Sequence, residues 1–423
     1  MKNSGVEWIG EIPVEWKVIR NKNAFSCEKI LVGKESSKTQ LLSLTTKGIR
    51  LKDINNAEGK LPESFDTYQF VSPNDIVMCL FDLDCSAVFS GISPYAGMIS
   101  PAYRVLTCIN NIVPQYADYW FRYVSDGRKF NHYAKNIRYT ISYEEFSALP
   151  FLLPEYEEQK CIVDYLDDKC AKIDALIAKQ QEAIEKLKAY KLSVITEAVT
   201  KGLNPNVPMK DSGIEWIGDM PTHWYIHKLC WDYSAMLGKM LDGKRITGKN
   251  MRPYIKNADV QWFSLNTENL DEMDFEESEK ERYSVLPGDL MICEGGEIGK
   301  SAIVPDDFPD GIYYQKALHR VRKKTEDSGN VEYLSFLMFC MAKNECFGTP
   351  PEKATIAHLP GDALSQLRLP APPITEQKEI SVYLKSKCQH LDEILLKKQE
   401  TIQKLLDYKK ALIYEVVTGK REV

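Results

Sequence analysis

The sequence predicts an α/β (α+β) fold in which two globular domains are separated by two long antiparallel coiled-coil helices, with an internal pseudo-two-fold repeat. The first observation is that the stretch 158–200 returns at 376–418, offset by 218 residues without a gap and with about half of its positions identical. The second is that a tryptophan-containing segment, residues 4–16, returns at 212–224. The third is that each half carries a region of short apolar runs and turns, and these two regions diverge far more than the helices do.

Both copies of the repeated stretch are predicted to be helices, because apolar residues recur every seven positions in two stripes displaced by four. One stripe contains Leu166, Ile173 and Leu187, and the other contains Ile177 and Ile184. Neither copy contains Gly or Pro, whereas prolines precede each copy and a glycine follows the first. At 1.5 Å per residue, about 43 residues form a rod on the order of 65 Å long.

A rod of this length cannot bury an apolar stripe alone, and the other copy is the partner of matching length. We therefore predict that the two helices pair in an antiparallel orientation. The seam residues that we expect to carry this pairing are Leu166, Ile173, Ile177, Ile184, Leu187, Leu384, Leu391, Leu395, Ile402 and Leu405.

The predicted seam also contains polar residues at equivalent positions of the two copies. Gln180 and Lys398 form one such pair, and Lys191 and Lys409 form another. Two interpretations are open. Either the helix drifts and these side chains reach water at the edge of the seam, or a polar break fixes the register and the pairing direction.

Length and composition are those of a soluble protein of two or three domains. The chain has 423 residues, 44% of them hydrophobic, and no apolar run approaches the length of a membrane span. The N-terminal residues lack the apolar core of a signal peptide, so we expect a cytoplasmic protein without membrane contact. The eleven cysteines are scattered and form no Cys-x-x-Cys pair, which argues against a disulfide framework and a structural zinc site.

Net charge is −6, which taken alone lowers the expectation of nucleic-acid binding. The charges are unevenly distributed, however. Lys and Arg are frequent at 17–60 and 122–138, whereas 268–281 is an acidic block. Local basic surfaces are therefore compatible with the sequence.

The repeat sets the predicted domain boundaries. These are a tryptophan segment at 1–16, a first variable domain at 17–150, a first long helix at 151–203, a linker with the repeated tryptophan segment at 204–224, a second variable domain at 225–370 and a C-terminal long helix at 371–423. Because the tryptophans stand in segments punctuated by Gly and Pro, we predict that they are anchors packed against a neighbour such as a helix end. Stacking on a ligand is the alternative.

The two variable domains retain faint similarities. Residues 73–79 resemble 287–293, in each case a turn that leads into a short apolar strand. Residues 103–105 resemble 319–321, and Thr140-Ile141 ahead of Leu149-Pro150 resembles Thr355-Ile356 ahead of Leu369-Pro370. We interpret the domains as two copies of one scaffold with different surfaces, which suits paired recognition of two different targets.

Taken together, these motifs resemble the specificity (S) subunit of type I restriction-modification enzymes along the full length of the chain. The residues that carry the resemblance are Trp8-Ile9-Gly10, Pro13 and Trp16 with their second copy, then Leu149-Pro150, Leu153-Pro154 and Glu158-Gln159-Lys160, then Leu369-Pro370, Pro373 and Glu376-Gln377-Lys378, and the helix from Lys172 to Thr200. Each piece alone is weak, but the ordered set in duplicate is specific.

The resemblance implies that each variable domain is a target-recognition domain that reads one half of a split sequence in double-stranded DNA. It also implies that the helices form a spacer between the half-sites and dock two modification (methyltransferase) subunits. Those partners would bind S-adenosylmethionine and methylate adenine, and restriction (translocase/endonuclease) subunits would carry translocation and cleavage. This chain would then supply only the recognition.

Side chains that reach base edges or phosphates are typically Arg, Lys, Asn, Gln, His, Ser and Thr. The candidates in the first domain are Thr45, Thr46, Lys47, Arg50, Tyr103, Arg104, Arg138 and Tyr139. Those in the second domain are Gln315, Lys316, His319, Arg320, Lys353, Thr355 and His358. For each of them, a solvated surface position is the alternative interpretation.

Motifs of catalysis are not found in the sequence. Residues 294–301 end like a phosphate-binding loop, but Glu294 stands where that motif needs glycine, and a carboxylate there would repel phosphate. The six histidines show no metal-ligand spacing. The Asn-Pro-Pro-Tyr/Phe tetrapeptide of adenine methyltransferases is absent, as is a glycine fingerprint after a strand for S-adenosylmethionine. We predict a non-catalytic chain without its own cofactor or metal. One alternative is a non-catalytic coiled-coil scaffold that joins two protein-binding domains without DNA contact. A second is a fused enzyme with its own methylation or cleavage site, and the missing motifs count against it.

Overall fold

The computed structural model describes residues 1–46, 48–53, 62–83, 90–134, 139–240, 247–347 and 358–423, with only the backbone for His132. These residues form helices and strands in two compact units, and the α+β class predicted from the sequence is confirmed. The first unit comprises Met1–Gln181 and Gln399–Val423, and the second comprises Glu182–Lys398.

The elements of the first unit are short until the first long helix begins. In chain order they are β1 (Lys2–Asn3), β2 (Glu11–Ile12), β3 (Lys17–Arg20), α1 (Asn21–Ala24), β4 (Phe25–Ser26), a 3₁₀ turn (Gly33–Lys38), β5 (Leu42–Thr45), β6 (Gly48–Leu51), β7 (Gln69–Val71), β8 (Ile76–Met78), β9 (Ser90–Ile92), β10 (Gly97–Ile99), β11 (Arg104–Cys108), α2 (Pro114–Asp126), a second 3₁₀ turn (Lys129–Tyr133), α3 (Tyr143–Ala148), β12 (Pro150–Leu153) and the start of α4 (Tyr156–Lys201).

An antiparallel sheet in the order β4-β11-β8-β9 separates two packed layers of this unit. Because side chains alternate along a strand, Ile76 and Leu106 face helix α2 and its buried Trp120. Val77 and Val105 face the opposite layer, which includes the β5–β6 hairpin. Helix α2 begins with a proline at its first turn, and a capping box of Ser142 and Glu145 starts α3.

The second unit continues after α4 with a similar order of elements. They are β13 (Met209–Asp211), β14 (Asp219–Pro221), β15 (Tyr225–Lys228), α5 (Leu229–Asp232), β16 (Tyr233–Leu237), β17 (Met251–Ile255), β18 (Val260–Gln261), β19 (Ser264–Leu265), β20 (Glu272–Asp274), α6 (Lys280–Tyr283), β21 (Leu290–Cys293), β22 (Ser301–Ile303), β23 (Tyr313–Tyr314), β24 (Leu318–Lys323), α7 (Val331–Lys343), α8 (Gly361–Ser365), β25 (Arg368–Ala371) and α9 (Ile374–Val417), with 3₁₀ turns at Asn257–Asp259 and Glu277–Glu279.

The central sheet of the second unit has the order β16-β24-β21-β22, which repeats the arrangement of the first unit. Leu290 and Val321 face helix α7, whereas Met291 packs in the opposite layer. Asn330 caps α7 by accepting a hydrogen bond from the backbone N–H of Tyr333 at 2.7 Å. The two units therefore share one sheet-and-helix scaffold.

Strands β12 and β25 cross the predicted domain boundaries at 150/151 and 370/371. Each closes its globular part by antiparallel pairing, β12 with β3 and β25 with β15. The globular parts thus extend to Leu153 and Ala371, and the long helices begin only after the prolines that follow.

The long helices α4 and α9 cover the repeated stretches, so the helix prediction for both copies is confirmed. In the first unit the two Asp174 carboxylate oxygens each accept a hydrogen bond from Lys409 Nζ at 2.7 Å. In the second unit Lys191 Nζ contacts both carboxylate oxygens of Asp392 at 2.7 Å. In the first unit Lys409 pairs with Asp174, whereas Arg421, just after α9, reaches Tyr165 nearer the start of α4, so the two segments are antiparallel there. In the second unit Lys191 pairs with Asp392, and Gly202 lies beside Glu376 near the start of α9, which gives the same orientation.

All ten predicted seam residues lie in buried or half-buried positions. In the first unit Leu166, Ile173 and Ile177 pack in one apolar cluster with Ile402 and Leu405. In the second unit Leu384 joins the core under α7, and Ile184, Leu187, Leu391 and Leu395 are buried or half-buried along the helices.

The repeated tryptophan segments anchor the starts of the long helices. Trp16 Nε1 donates to Glu158 Oε1 at 2.8 Å, and Trp224 Nε1 donates to Glu376 Oε2 at 3.0 Å. Both indoles are almost fully buried. The prediction that these tryptophans pack against a helix end is therefore confirmed for Trp16 and Trp224.

The glutamine after each of these glutamates makes a second repeated contact. Gln159 Oε1 accepts the backbone N–H of Val113 at 2.9 Å, and Gln377 Oε1 accepts that of Asn330 at 2.9 Å. Each amide thus ties a long helix to the start of the packed helix α2 or α7. In the part of the chain that the structure describes, no helix is both long and apolar enough to cross a membrane.

Candidate nucleic-acid interface

In the second unit, three turns meet at one end of the central sheet, and we call this group the second loop end. It consists of residues 294–299, 315–317 and 358–359. The backbone N–H of Glu294 donates to Ala317 O at 2.9 Å, and that of Leu359 donates to Glu294 O at 2.7 Å. The structure thereby brings together three predicted contact residues, half-buried Gln315, exposed Lys316 and exposed His358.

Two further candidates in this region, His319 and Arg320, are buried. His319 is fully buried and its Nε2 lies 2.9 Å from Leu359 O, so the ring holds residues 358–359 against the sheet. Arg320 Nη1 donates to Ser284 O at 2.5 Å, and its guanidinium lies 5.7 Å from the Tyr314 ring centroid. Burial lowers the pKa of His319 and that of Arg320. Neither side chain is presented at the surface, contrary to the expectation of base contact.

The equivalent group in the first unit, which we call the first loop end, consists of residues 79–83, 100–103 and 139–141. The Ile141 N–H donates to Leu80 O at 2.9 Å, just as Leu359 does to Glu294 O. Tyr139 is exposed, with φ of 44°, and its carbonyl accepts the Leu83 N–H at 3.3 Å. Tyr103 is half-buried with its ring centroid 5.9 Å from that of Phe81.

The hairpin of β5 and β6 carries a second set of predicted contact residues, and it lies beside the start of β9. Thr46 and Arg50 are exposed, and Thr45 Oγ1 donates to Gly48 O across the turn at 2.8 Å. A Cβ built on Gly91, the second residue of β9, would lie only 3.1 Å from Leu44 Cδ1 and 3.6 Å from Gly48 Cα. The absence of a side chain at Gly91 therefore lets the hairpin pack beside the start of β9.

Strand register corrects one similarity inferred from the sequence. Leu106 pairs with Ile76, and Val321 pairs with Leu290. Since Ile76 and Leu290 follow the same shared turn, Leu106 and Val321 are equivalent. The predicted match of 103–105 with 319–321 is therefore wrong by one residue, and one residue reverses the face of a strand.

The strand register therefore pairs the predicted contact residues of the two units differently. Arg104 is equivalent to His319, and Val105 is equivalent to Arg320. Arg104 is exposed with its guanidinium 5.8 Å from the ring centroid of Tyr143, on the α2 side of the sheet. The two units thus place different chemistry at the same scaffold positions.

The glycine-rich turn at 294–301 connects two antiparallel strands, β21 and β22, and is not followed by a helix. A phosphate-binding loop needs a strand-to-helix connection, so this turn lacks the geometry of that motif. A Cβ on Gly299, whose φ is 77°, would lie 2.3 Å from the Phe347 ring. This glycine is explained by that close approach.

One carboxylate at the second loop end is held in its ionised form. Burial opposes ionisation of Glu297, but hydrogen bonds from Lys343 at 2.7 Å and from Trp262 Nε1 at 2.7 Å lower its pKa. The ion pair with Lys343 compensates this charge, and Lys316 is an exposed cation of the same loop end.

Asn257 contacts the second loop end and was not among the predicted residues. Its Nδ2 donates to Gly295 O at 2.9 Å, and the residue is half-buried. The signal available in the sequence was an asparagine at the turn after an apolar run, which is too common to single out. Four predicted residues lie outside the described part of the chain, namely Lys47, Arg138, Lys353 and Thr355.

The exposed side chains at the two loop ends are suited to polar recognition. Gln, His, Lys, Arg, Thr and Tyr side chains can donate hydrogen bonds to base edges or phosphate oxygens. Among the described residues, no group of His, Cys, Asp and Glu side chains could hold a metal ion. The fold and these loop ends define a modular α+β protein in which one scaffold occurs twice with different exposed loops.

Comparisons with known proteins show what this chain is similar to. The model of the type I restriction modification DNA specificity domain matches residues 237–404. The putative type I restriction enzyme MjaX specificity subunit of Methanocaldococcus jannaschii is 26% identical over 321 residues, which cover 74% of this chain and 69% of that protein. The MjaVIII specificity subunit of the same organism is 26% identical over 301 residues, which cover 66% of this chain and 63% of that protein.

Solved structures share the fold. One similar chain comes from a study of complex assembly and conformational transition of the type I R-M system. Its TM-score is 0.75 at 13% identity, and the match covers 97% of this chain and 100% of that chain. The HsdS subunit from Thermoanaerobacter tengcongensis has a TM-score of 0.53 at 14% identity, with 97% and 98% covered. The family model and the curated relatives show that the chain is similar to type I restriction-modification specificity subunits, and the resemblance recognised in the sequence is confirmed.

Proposed function

We propose that this chain supplies DNA sequence specificity to a type I restriction-modification complex. Each globular domain reads one half of a bipartite site in double-stranded DNA, with its loop end as the contact surface. The paired helices α4 and α9 act as an antiparallel coiled-coil spacer within a pseudo-two-fold arrangement. They set the distance between the half-sites and dock two modification subunits.

The observation that carries this proposal is the contrast between repeated anchors and divergent loop ends. Trp16 with Glu158 and Trp224 with Glu376 make the same contact twice. On the strands that lead out of the loop ends, by contrast, exposed Arg104 of β11 corresponds to buried His319 of β24. A scaffold kept constant beneath different contact residues suits the recognition of two different half-sites.

In this proposal the chain is non-catalytic and holds no cofactor or metal. S-adenosylmethionine is bound by the two modification subunits, which methylate the DNA that this chain selects, and restriction subunits join the same complex. The complex acts in the cytoplasm. An adenine methyltransferase must take its target base out of the stack, which favours a specificity element that contacts DNA on both sides of the modified position.

The test is base-resolution mapping of methylated DNA from cells that express this chain with a modification subunit. We expect methylated adenines in a two-part motif with a fixed gap. Exchange of residues 17–148 for those of another specificity subunit should change one half of the motif and leave the other half intact.

The acidic net charge of −6 supports the rival function of a protein-binding scaffold. A scaffold predicts co-purification of partners but no methylation motif that depends on this chain. Mapping therefore separates the two functions: a motif that persists after deletion of the chain would count against DNA specificity.

A further inference from the structure

Two groups of side chains on the long helices are related by the 218-residue offset of the repeat. One group binds an arginine of this chain, and the other lines an open cleft. In the first unit the group is Tyr165, Tyr408 and Glu415. In the second unit the equivalent group is Tyr383, Tyr190 and Glu197, the same residue types at the equivalent helix positions. Both groups lie near the C-terminal end of a long helix.

In the first unit an arginine from the same chain occupies this group. Arg421 Nη2 lies 2.9 Å from Glu415 Oε2, and its Nη1 lies 3.5 Å from the Tyr165 hydroxyl. The backbone N–H of Arg421 also donates to Glu415 O at 3.0 Å. Hydrogen bonds to Tyr165 and Tyr408 raise the pKa of Arg421. Two tyrosines and one glutamate thus form a built guanidinium site.

In the second unit the same three residue types line an open cleft of about 830 Å³, in the size range of ligand pockets. Tyr190 is 50% exposed and Tyr383 is 42% exposed. Leu203 stands 218 residues before Arg421 and also lines this cleft. Among the described residues, no side-chain hydrogen bond or ion pair reaches the Glu197 carboxylate.

The chemistry of the cleft favours a guanidinium group. A carboxylate offers bidentate hydrogen bonds to arginine, and tyrosine rings attract its planar cation. Asp219 adds a second carboxylate to the lining, which disfavours a phosphate backbone. Two lysines are near: Lys201 lines the cleft, and Lys387 Nζ lies 5.8 Å from the Tyr190 ring centroid. Neither forms an ion pair with Glu197 within the described chain.

We propose that this cleft binds an arginine side chain of the modification subunit. The proposal rests on the proposed function, in which modification subunits dock on the long helices. The two helix ends are then not interchangeable. The first site binds Arg421 of this chain, and the second binds an arginine of the modification subunit.

The experiment compares two matched variants of the full chain, E197Q and E415Q, in binding to the modification subunit by isothermal titration calorimetry. Loss of a charge-assisted pair at an interface should raise Kd about tenfold or more for E197Q. E415Q disturbs only the contact to Arg421, so its Kd should stay within about twofold of wild type. Y383A, which removes one aromatic wall, should also raise Kd, by about threefold or more.

Thermal unfolding of each variant shows whether the fold is intact, and Glu197 is exposed, so E197Q should unfold with the wild-type Tm. If E197Q and Y383A both bind the modification subunit as wild type does, the arginine site is overturned while the proposed function stands. If wild-type chain itself does not bind the modification subunit, the proposed function fails instead.

Discussion

His319 shows at the scale of one residue how a buried side chain positions an exposed loop. The ring is enclosed between the central sheet and residues 358–361, and its Nε2 hydrogen bond to Leu359 O fixes the proton on Nε2 when the ring is neutral. The exposed neighbour His358 is thereby held at the second loop end. The buried residue acts on recognition only through this positioning.

Burial lowers the pKa of His319 below its usual value, so stability should depend on pH. The neutral ring contributes its full stabilisation above the unfolded-state pKa of about 6.5, and this contribution is lost as pH falls toward the lower folded-state pKa. We expect the Tm of wild type to fall between pH 7.5 and 5.5 by more than that of H319Q. The glutamine amide can still donate to Leu359 O. The H319Q substitution should therefore lower the free energy of unfolding at pH 7.5 by only about 1–2 kcal/mol.

The control for this prediction is H358Q, which removes the exposed histidine from the same loop end. The difference between the pH profiles of H319Q and H358Q isolates the buried ring. Equal slopes of Tm against pH for wild type and H319Q would show that the pKa of His319 does not differ between the folded and unfolded states.

Gln377 ties α9 to the start of α7 through one hydrogen bond and to the chain just before α9 through a second. Its Oε1 accepts the Asn330 N–H at 2.9 Å and its Nε2 donates to Pro372 O at 2.9 Å. The variant Q377L leaves both backbone groups without these partners, at a cost of about 2–4 kcal/mol. Urea unfolding should show this loss, whereas Q389A, at an exposed site on the same helix, should change the free energy of unfolding by less than about 0.5 kcal/mol. Equal midpoints for the two variants would contradict the assignment.

At the scale of elements, the polar residues of the helix seam form ion pairs between the helices. Lys409 pairs with Asp174, and Lys191 pairs with Asp392, so the 218-residue offset maps one pair onto the other. The lysines are 21% and 14% exposed, whereas both aspartates are 56% exposed. Of the two interpretations of these lysines, the contacts favour a polar break that fixes register over simple solvation.

Charge reversal tests the pair in the first unit. K409D places two carboxylates together and should destabilise the chain by about 1–2 kcal/mol. The double variant D174K/K409D restores opposite charges and should recover more than half of that loss, as measured in a double-mutant cycle by thermal unfolding. Additive effects of D174K and K409D would mean that the two side chains do not interact.

The helices and their anchors were predictable, whereas the strand register was not. A seven-residue period over 43 residues is a local pattern, and its repetition marks both helices without knowledge of their partners. The face of a strand residue depends on a pairing partner far away in sequence, so His319 and Arg320 could be assigned only from the register. Their basic side chains suggested exposure, but hydrogen bonds to the carbonyls of Leu359 and Ser284 offset part of the cost of their burial, while His319 Nδ1 and Arg320 Nε stay without a partner among the described residues.

At the scale of the whole molecule, the proposed function makes half-site spacing a property of helix length. An α-helix rises 1.5 Å per residue, and B-DNA rises about 3.4 Å per base pair. One inserted heptad adds about 10.5 Å, or roughly three base pairs, and preserves the phase of the apolar stripe. Suitable insertion sites are between Ile184 and Glu185 and between Lys398 and Gln399, at or near the points where the chain passes from one unit to the other.

We therefore expect that the double insertion lengthens the gap of the methylated motif by about three base pairs and leaves the bases of both halves unchanged. Methylation mapping measures both properties at once. A single insertion in α4 alone is the control, because it misaligns the seam against α9 and should reduce methylation without producing a new, defined gap. An unchanged gap in a chain that still methylates would mean that the spacing is set by the modification subunits and not by these helices.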